Sequence, residues 1–339
     1  MQVTTIGLDI AKNVFQVHGV DRHGKVVLCK RLARGKVLTF FANLPRCLIG
    51  LEAGGGAHHW ARELTRLGHD ARLMPPQYVK AYVKTNEHDA ADAEACCEAV
   101  QRPSMRFVPV KSEQQQATCM LHRVRDQLIG QRTATINALR GHLTEFGIVA
   151  AQRQAGVRQL LAVLGEVEDA RIPPLAREVL QTLADHLRDL EAKIAGLDRR
   201  LVALTRTDPV CRLLAEVPGV GPVVATAFAA TVPDAGAFRS GRHLAAWLGL
   251  VPREHASGGK VRQLGLSQRG DAYLRRQLVH GARALVWRSP GRTAGRLWAW
   301  IDALLTRRPF NVVVVAVANK LARTLWAMLS RGAAYRALA

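Results

Sequence analysis

Acidic residues are scarce in this chain of 339 residues: 27 aspartates and glutamates stand against 48 lysines and arginines, giving a formal net charge of +21 at pH 7. That deficit predicts a surface that attracts polyanions, with binding that weakens as salt rises. Metal-type cysteine spacing is missing as well. Cys29, Cys47, Cys96, Cys97, Cys119 and Cys211 form no CxxC pair and keep no ligand-like distance from the histidines, which argues against a zinc site and a disulfide framework and fits a reducing compartment. Long apolar runs are absent too. Asp9 and Lys12 interrupt the N-terminal stretch before an h-region forms, and Val312 to Ala318 falls far short of the roughly 20 residues a membrane span needs. The expectation is a soluble, cytoplasmic protein without a membrane partner. With 48% hydrophobic residues the chain is no disordered basic tail; it has the apolar content for two or three domains with real cores.

The pattern along the chain changes twice, suggesting domains at 1–108, 109–208 and 209–339. In the first, Val3 to Asp9, Val14 to Val20 and Lys25 to Lys30 read as short strands, with Asp21-Arg22-His23-Gly24 as a hairpin turn. Leu38 to Leu44 and His58 to Leu67 read as helices, and Cys47 to Glu52 and Asp70 to Met74 as strands, so the domain is α/β. The second is helical. Leu121, Val124, Leu128, Ile136, Leu139, Leu143 and Phe146 keep helical spacing, and Leu183, Leu187, Leu190, Ile194, Leu197, Leu201 and Leu204 alternate steps of three and four, a heptad seam. Such a pair suits an intramolecular hairpin or a subunit-pairing coiled coil; the regularity of the seam favours the second. The third is mostly helical, near 239 to 248, 268 to 288 and 312 to 330, with a Gly- and Arg-rich loop at 249 to 266. No long internal repeat is evident.

Four of the scarce carboxylates stand where a metal-binding nuclease fold would put them. Asp9 closes one apolar run and Glu52 another, while Asp89 and Asp92 are three apart in an Ala-rich helical stretch and project from one helix face. Neighbouring carboxylates repel, and a hard cation such as Mg²⁺ removes that penalty; two such ions stabilise the entering and leaving oxygens of a phosphoryl displacement. An ordinary solvated acidic first turn explains Asp89 and Asp92 equally simply. Glu87, Glu94 and Glu98 are rivals on the same helix, but Glu94 points away from the Asp89 and Asp92 face. Gly54-Gly55-Gly56 lacks the Lys-Ser/Thr of a P-loop and reads as a turn or a close backbone approach to substrate.

Downstream, Pro218-Gly219-Val220-Gly221 between apolar helices suggests a helix-hairpin-helix, in which Gly219 and Gly221 would let backbone amides approach a phosphate; a compact helical turn is the plainer reading. In Leu248 to Arg262, Ser257 beside Gly258-Gly259 is sterically accessible, and Arg253, Lys260 and Arg262 would neutralise a phosphate. A Ser-Gly-Gly is by itself only a flexible loop. His255 suits proton transfer or a DNA contact. Ser267 reads as a helix N-cap.

Taken together these residues resemble the DEDD transposases of the bacterial insertion-sequence-110 family. The resemblance rests on Gly7-Leu8-Asp9-Ile10-Ala11-Lys12, Glu52-Ala53, Asn86 to Glu94 with its Asp-x-x-Asp, Pro218-Gly219-Val220-Gly221, Phe238-Arg239-Ser240, Ala246 to Arg253 and Ser257-Gly258-Gly259-Lys260. It covers nearly the whole chain, and the order and spacing of the motifs are more specific than any one of them. It implies an RNase H-like, RuvC-like N-terminal domain, a helical coiled-coil middle and a mostly α C-terminal transposase domain. It also implies that Asp9, Glu52, Asp89 and Asp92 hold Mg²⁺, with Mn²⁺ as a substitute. Ser257 would be the nucleophile that forms a phosphoserine link to DNA. Further implications are a homo-oligomer, dimer or tetramer, in which one subunit's RuvC-like domain meets another's serine, and an element-encoded guide RNA that pairs with element ends and target DNA. Two other readings of the same residues stay open. One is a RuvC-type nuclease or junction resolvase using metal-activated water; the other is a non-catalytic nucleic-acid-binding protein with a structural quartet.

Overall fold

The computed structural model of the chain describes residues 2–84, 88–166, 169–289 and 295–335. They fall into two compact units, Met1–Gln116 and Ala117–Ala339.

The first unit is a five-stranded mixed sheet with helices on both faces. Strands β1 (Thr5–Ile10), β2 (Val14–Val20) and β3 (Val26–Ala33) form an antiparallel meander, and β4 (Leu48–Glu52) and β5 (Asp70–Met74) add in parallel, in the order β3-β2-β1-β4-β5. The β2–β3 turn is closed by Asp21, whose carboxylate accepts from the N–H groups of His23 (2.8 Å) and Lys25 (3.0 Å), with Gly24 at φ +77°. Between strands run α1 (Val37–Ala42) and α2 (Ala57–Arg66); α3 (Pro76–Val79) and α4 (Asp89–Val100) follow β5.

Side chains alternate across a strand, and here the alternation separates two chemistries. Ile6, Leu8, Ile49 and Leu51 are fully buried with Phe15, Trp60, Ala61 and Leu64, so α2 packs on that side; each such Leu or Ile contributes about 1.5–3 kcal/mol. The other side of β1 and β4 carries Gly7 and Asp9, and Gly50 and Glu52. Helix α4 lies on it. A Cβ on Gly7 would sit 1.9 Å from the Ala93 carbonyl oxygen, and one on Gly50 2.6 Å from Val100 Cβ and 2.8 Å from the Cys96 carbonyl oxygen. Small residues on both partners therefore set how close this helix comes to the sheet.

The second unit contains α5 from residue 117 onward (the helix spans Glu113–Thr144), α6 (Arg153–Gly165), α7 (Pro174–Thr207), α8 (Pro209–Leu214), α9 (Pro222–Thr231), α10 (Gly241–Trp247), the hairpin β6 (Pro252–Ser257) and β7 (Lys260–Leu266), α11 (Ala272–Arg288), α12 (Arg296–Leu305) and α13 (Phe310–Arg331). One buried cluster joins the end of α5 to α6 and the first half of α7, and a larger one joins α8 through α13. The leucine seam of α7 is used inside the chain: Leu187, Leu190, Ile194 and Leu201 are buried, and Arg125 of α5 pairs with Asp198 at 2.5 Å.

Three local readings change. The segment 249 to 266 is an antiparallel hairpin rather than a loop, because Gly258 (φ +54°) and Gly259 (φ +74°) supply the two left-handed residues of a type I′ turn. Asp271, not Ser267, caps α11: its carboxylate accepts from Leu274 N–H at 2.7 Å, while Ser267 N–H is spent on the Val251 carbonyl at 2.9 Å. The apolar run at 312 belongs to α13, a helix of 22 residues that is long and apolar enough to cross a membrane. Its apolarity has a nearer use. Val313, Val317, Leu321, Leu325 and Met328 repeat at helical spacing and are buried in the larger cluster.

Candidate functional site

The parity that places Gly7 and Gly50 against α4 also places Asp9 and Glu52 on the same face, two residues further along each strand. On α4, Asp89 and Asp92 continue the stripe of Ala93, Cys96 and Val100 back toward the helix N-terminus. The result is four carboxylates from three elements near one end of the sheet. Asp9 is half-buried, Asp92 half-buried, and Glu52 and Asp89 exposed, so the group opens to solvent on one side.

Their charges are felt mutually. Burial, then repulsion from Asp89 and Asp92, pushes the Asp9 carboxyl up to about 6, and Glu52 adds to the same effect; a hydrogen bond from Ile10 N–H opposes it. Burial and Asp92 also raise Glu52. Among the described residues no three His, Cys, Asp or Glu side chains converge tightly enough to chelate an ion as they stand. The donor chemistry nonetheless fits one. All four are carboxylates, the ligands of hard divalent ions, and a cation would offset the burial and repulsion that disfavour the charged form of Asp9.

The rival acids are accounted for. Glu94 pairs with Lys84 at 2.8 Å and Glu98 with Arg102 at 2.8 Å, both turned from the quartet. Asn86 and Glu87 lie outside the described residues. Cys96 and Cys97 are buried residues of α4 itself, and burial pushes the Cys97 thiol up to about 12 and raises that of Cys96, so both are neutral packing groups.

The second set of predicted residues gathers on the hairpin of the other unit. Ser257 is paired with Lys260 across the two-residue turn, Ala256 with Val261, and His255 with Arg262. Cross-strand partners share a face, as do residues two apart, so Ser257, His255, Lys260 and Arg262 lie on one side of the hairpin. A shift in pairing between Pro252 and Glu254 separates Arg253 from this regular alternation. Every residue from Pro252 to Gly265 is exposed.

The hairpin's base is held firmly. A Cβ on Gly270 (φ +68°) would sit 2.0 Å from the Trp247 carbonyl oxygen, and one on Gly249 (φ +72°) 2.4 Å from Arg269 N. Asn319 Nδ2 donates to the Leu250 carbonyl at 3.0 Å, and Arg275 donates to those of Leu248 at 3.0 Å and Arg269 at 2.5 Å. A fixed root carries a solvated tip.

The Gly-x-Gly turn divides into two roles. Gly219 (φ +83°) faces α11: its Cβ would lie 2.6 Å from Leu285 Cδ1, and a Cβ on Gly281 would lie 2.2 Å from the Gly219 carbonyl oxygen. That glycine is therefore required by helix packing. Gly221, at the start of α9, has open space where its Cβ would be.

Sequence reasoning missed the glycines that position the quartet. The signal was present: Gly7-Leu8-Asp9 and Gly50-Leu51-Glu52 repeat one pattern, glycine and carboxylate on the same face of a strand.

Comparison with known proteins covers both units. Residues 6–148 match a DEDD-type family model described as "Transposase", and residues 211–296 match one described as "Transposase IS116/IS110/IS902 family". The chain is 53% identical over 337 residues to a "Probable family 20 transposase" of Pseudomonas aeruginosa, covering 99% of each. It is 39% identical over 333 residues to the "Transposase for insertion sequence element IS1328" of Yersinia enterocolitica, covering 98% of each. A shorter likeness, 32% over 111 residues and about a third of each chain, links it to a "Pilin gene-inverting protein" of Moraxella lacunata.

Proposed function

The chain belongs to the IS116/IS110/IS902 family of transposases, and on that premise we propose that it cuts and exchanges DNA strands through Ser257, on a phosphate held at Asp9, Glu52, Asp89 and Asp92. The observation that carries the reading is the gathering of the quartet. Four carboxylates in a chain so poor in acid are brought to one end of a RuvC-like sheet, where burial and the neighbouring acids disfavour the charged forms of Asp9 and Glu52.

Asp9, Glu52, Asp89 and Asp92 would hold Mg²⁺, or Mn²⁺ in its place. Such an ion supplies charge neutralisation at the phosphate oxygens. The remaining chemistry belongs to the hairpin. Ser257 Oγ attacks phosphorus, an Oγ–P bond forms, and the bond from phosphorus to the deoxyribose oxygen breaks. The serine proton passes to a base, a role His255 suits from the same face, and the departing sugar oxygen takes up a proton. A sugar hydroxyl of the new partner strand then displaces Ser257, so one phosphodiester is made for each one opened and no nucleotide hydrolysis is needed. Lys260 and Arg262 stand beside Ser257 to neutralise the pentacovalent phosphate, with Arg253 nearer the root. Gly221 and the first turn of α9 offer amides to a backbone phosphate.

In this reading the active form is a dimer or tetramer, the serine of one subunit serving the carboxylates of another. The DNA partners are element ends and target, and an element-encoded RNA selects them by base pairing. The deciding experiment is trapping. Full-length protein incubated with Mg²⁺ and element-end DNA should give a covalent adduct whose linkage maps to Ser257, and Ser257→Ala should give none while keeping DNA affinity. Cleavage and joining by Ser257→Ala at the normal rate would assign the chemistry to hydrolysis by water instead.

A further inference from the structure

One face of α11 is used by neither the core nor the proposed chemistry. Leu274, Leu278, Ala282 and Leu285 are buried, whereas His280, Arg283, Ala284 and Trp287, at positions i, i+3, i+4 and i+7, form a separate stripe. That stripe lines an open cleft of about 490 Å³, which Arg153 at the start of α6 and Phe310 at the start of α13 also line. The volume lies within the roughly 300–1,000 Å³ of small-ligand sites.

Three features of the cleft are unusual together. Trp287 is 78% exposed and Phe310 39%, so two aromatic rings face water at one place in a chain that buries most of its large apolar side chains. The polar groups beside them are two guanidiniums and an imidazole, and among the described residues no carboxylate lines the cleft. Arg283 is steered toward α13 by Asn311, whose side-chain oxygen accepts from it at 3.4 Å. Arg153 sits at φ +73°, a backbone conformation that costs a non-glycine residue about 1–2 kcal/mol and that collects at binding sites.

We propose that this cleft binds one unpaired nucleotide of a single-stranded nucleic acid, its base stacked on Trp287 and its phosphate held by Arg283 and Arg153. Aromatic faces interleaved with arginine are the recognition chemistry of unstacked bases. A duplex fits less well, since its base faces are covered by neighbouring bases and only the phosphates would find partners. An acidic protein would satisfy the arginines but leaves the exposed indole face without its match. The inference needs neither the carboxylates nor Ser257, so it stands or falls separately from the strand-exchange reading.

The test uses full-length protein and short fluorescent single strands of DNA and of RNA, with duplex DNA as control, followed by anisotropy over a series of salt concentrations. Trp287→Ala should weaken single-strand binding about 5- to 100-fold in the DNA arm, the RNA arm or both, with Trp287→Phe recovering most of it. The arm that responds identifies the strand. Arg283→Gln should weaken binding and lower the salt slope by about one. Duplex affinity should be unchanged by Trp287→Ala. The proposal is overturned if Trp287→Ala binds both single strands normally, or loses duplex and single strand equally. It is overturned also if the substitution leaves nucleic-acid binding intact and changes only the oligomer mass by light scattering, which would make the cleft a protein contact.

Discussion

Gly7 and Gly50 are direct partners across the parallel strands β1 and β4, and the two missing side chains leave the gap into which α4 settles. Asp9 and Glu52 follow each glycine by two residues, so the same contact that seats the helix brings Asp89 and Asp92 toward them.

Gly7→Ala should therefore act on the quartet from a distance. A methyl group 1.9 Å from a helix carbonyl oxygen cannot be absorbed by a side-chain rotation, so α4 must move or the domain must loosen. The expected cost is about 1–3 kcal/mol, the usual range for overpacking. Divalent-ion binding, followed by calorimetry, should weaken at least ten-fold although every carboxylate is intact. Normal ion affinity in a folded Gly7→Ala would show that α4 does not control the quartet.

Asp9 sets a pH dependence in metal-free protein. In the fold its carboxyl keeps its proton to about pH 6, and in the unfolded chain it releases it near 3.8. Between those values the folded state binds more protons, so stability falls as pH rises through the window and stays lower above it. Asp9→Asn should stabilise the metal-free protein near pH 7 by about 1–2 kcal/mol once solvent screening of this half-buried group is allowed for, read as a higher melting temperature, and should abolish divalent binding. A lower melting temperature for the variant would contradict the repulsion.

His122 titrates in the opposite sense. It is buried in the second unit between Tyr273 Oη (2.9 Å from Nδ1) and Thr226 Oγ (3.0 Å from Nε2). Burial first, and Arg125 second, lower its pKa from 6.5 to about 4. Thr226 donates its own proton to the Pro222 carbonyl at 2.6 Å, so it accepts from Nε2–H and the ring is neutral. Unfolding lets the imidazole protonate, so the stability it supports is complete above about pH 6.5 and drains as pH falls toward 4. The loss reaches at most about 3 kcal/mol. Denaturant midpoints at mildly acidic and neutral pH should converge for His122→Gln and diverge for the wild type.

Gly270 and Gly258 separate the root of the hairpin from its tip. Gly270→Ala places a methyl group 2.0 Å from a backbone oxygen, whereas Gly258→Ala meets open space and incurs only the left-handed backbone penalty of about 1 kcal/mol. Formation of the Ser257–DNA adduct should fall at least ten-fold for Gly270→Ala with DNA affinity retained, and fall less for Gly258→Ala. Equal losses would mean that the root does not aim the serine.

Much of the first unit was legible because its strands are short, apolar and punctuated by turns: β2 and β5 fall on the expected residues, and Asp9 and Glu52 stand at or near strand ends. The quartet's proximity was legible only in part, since sequence gives the face of a residue but not the depth to which a helix sinks. That depth was written in Gly7 and Gly50. The second unit was harder. Ser257-Gly258-Gly259-Lys260 is polar and glycine-rich and reads as loop, yet paired glycines are also the strongest requirement of a type I′ hairpin, and the flanking strands are too polar to announce themselves. Ser267 read as the cap of α11, and the structure gives that role to a second residue, Asp271. The left-handed turn at Gln268 and Gly270 delays the helix to the second. Helix α12 went unread although Pro290-Gly291 marks a break after α11; it spans only 10 residues.

The solvated hairpin has a consequence for how related chains diverge. From Pro252 to Gly265 no side chain is needed to fill a core, so most replacements there leave folding untouched. Gly249 and Gly270 are under the reverse constraint, since any side chain collides whatever the protein is used for. An alignment would thus sort two kinds of invariance between Gly249 and Gly270. A fixed glycine at the root reports architecture, and a fixed Ser257, Lys260 or Arg262 at the tip, where folding demands nothing, reports selection for use. A copy of the gene released from selection should lose the tip first while still producing a folded protein.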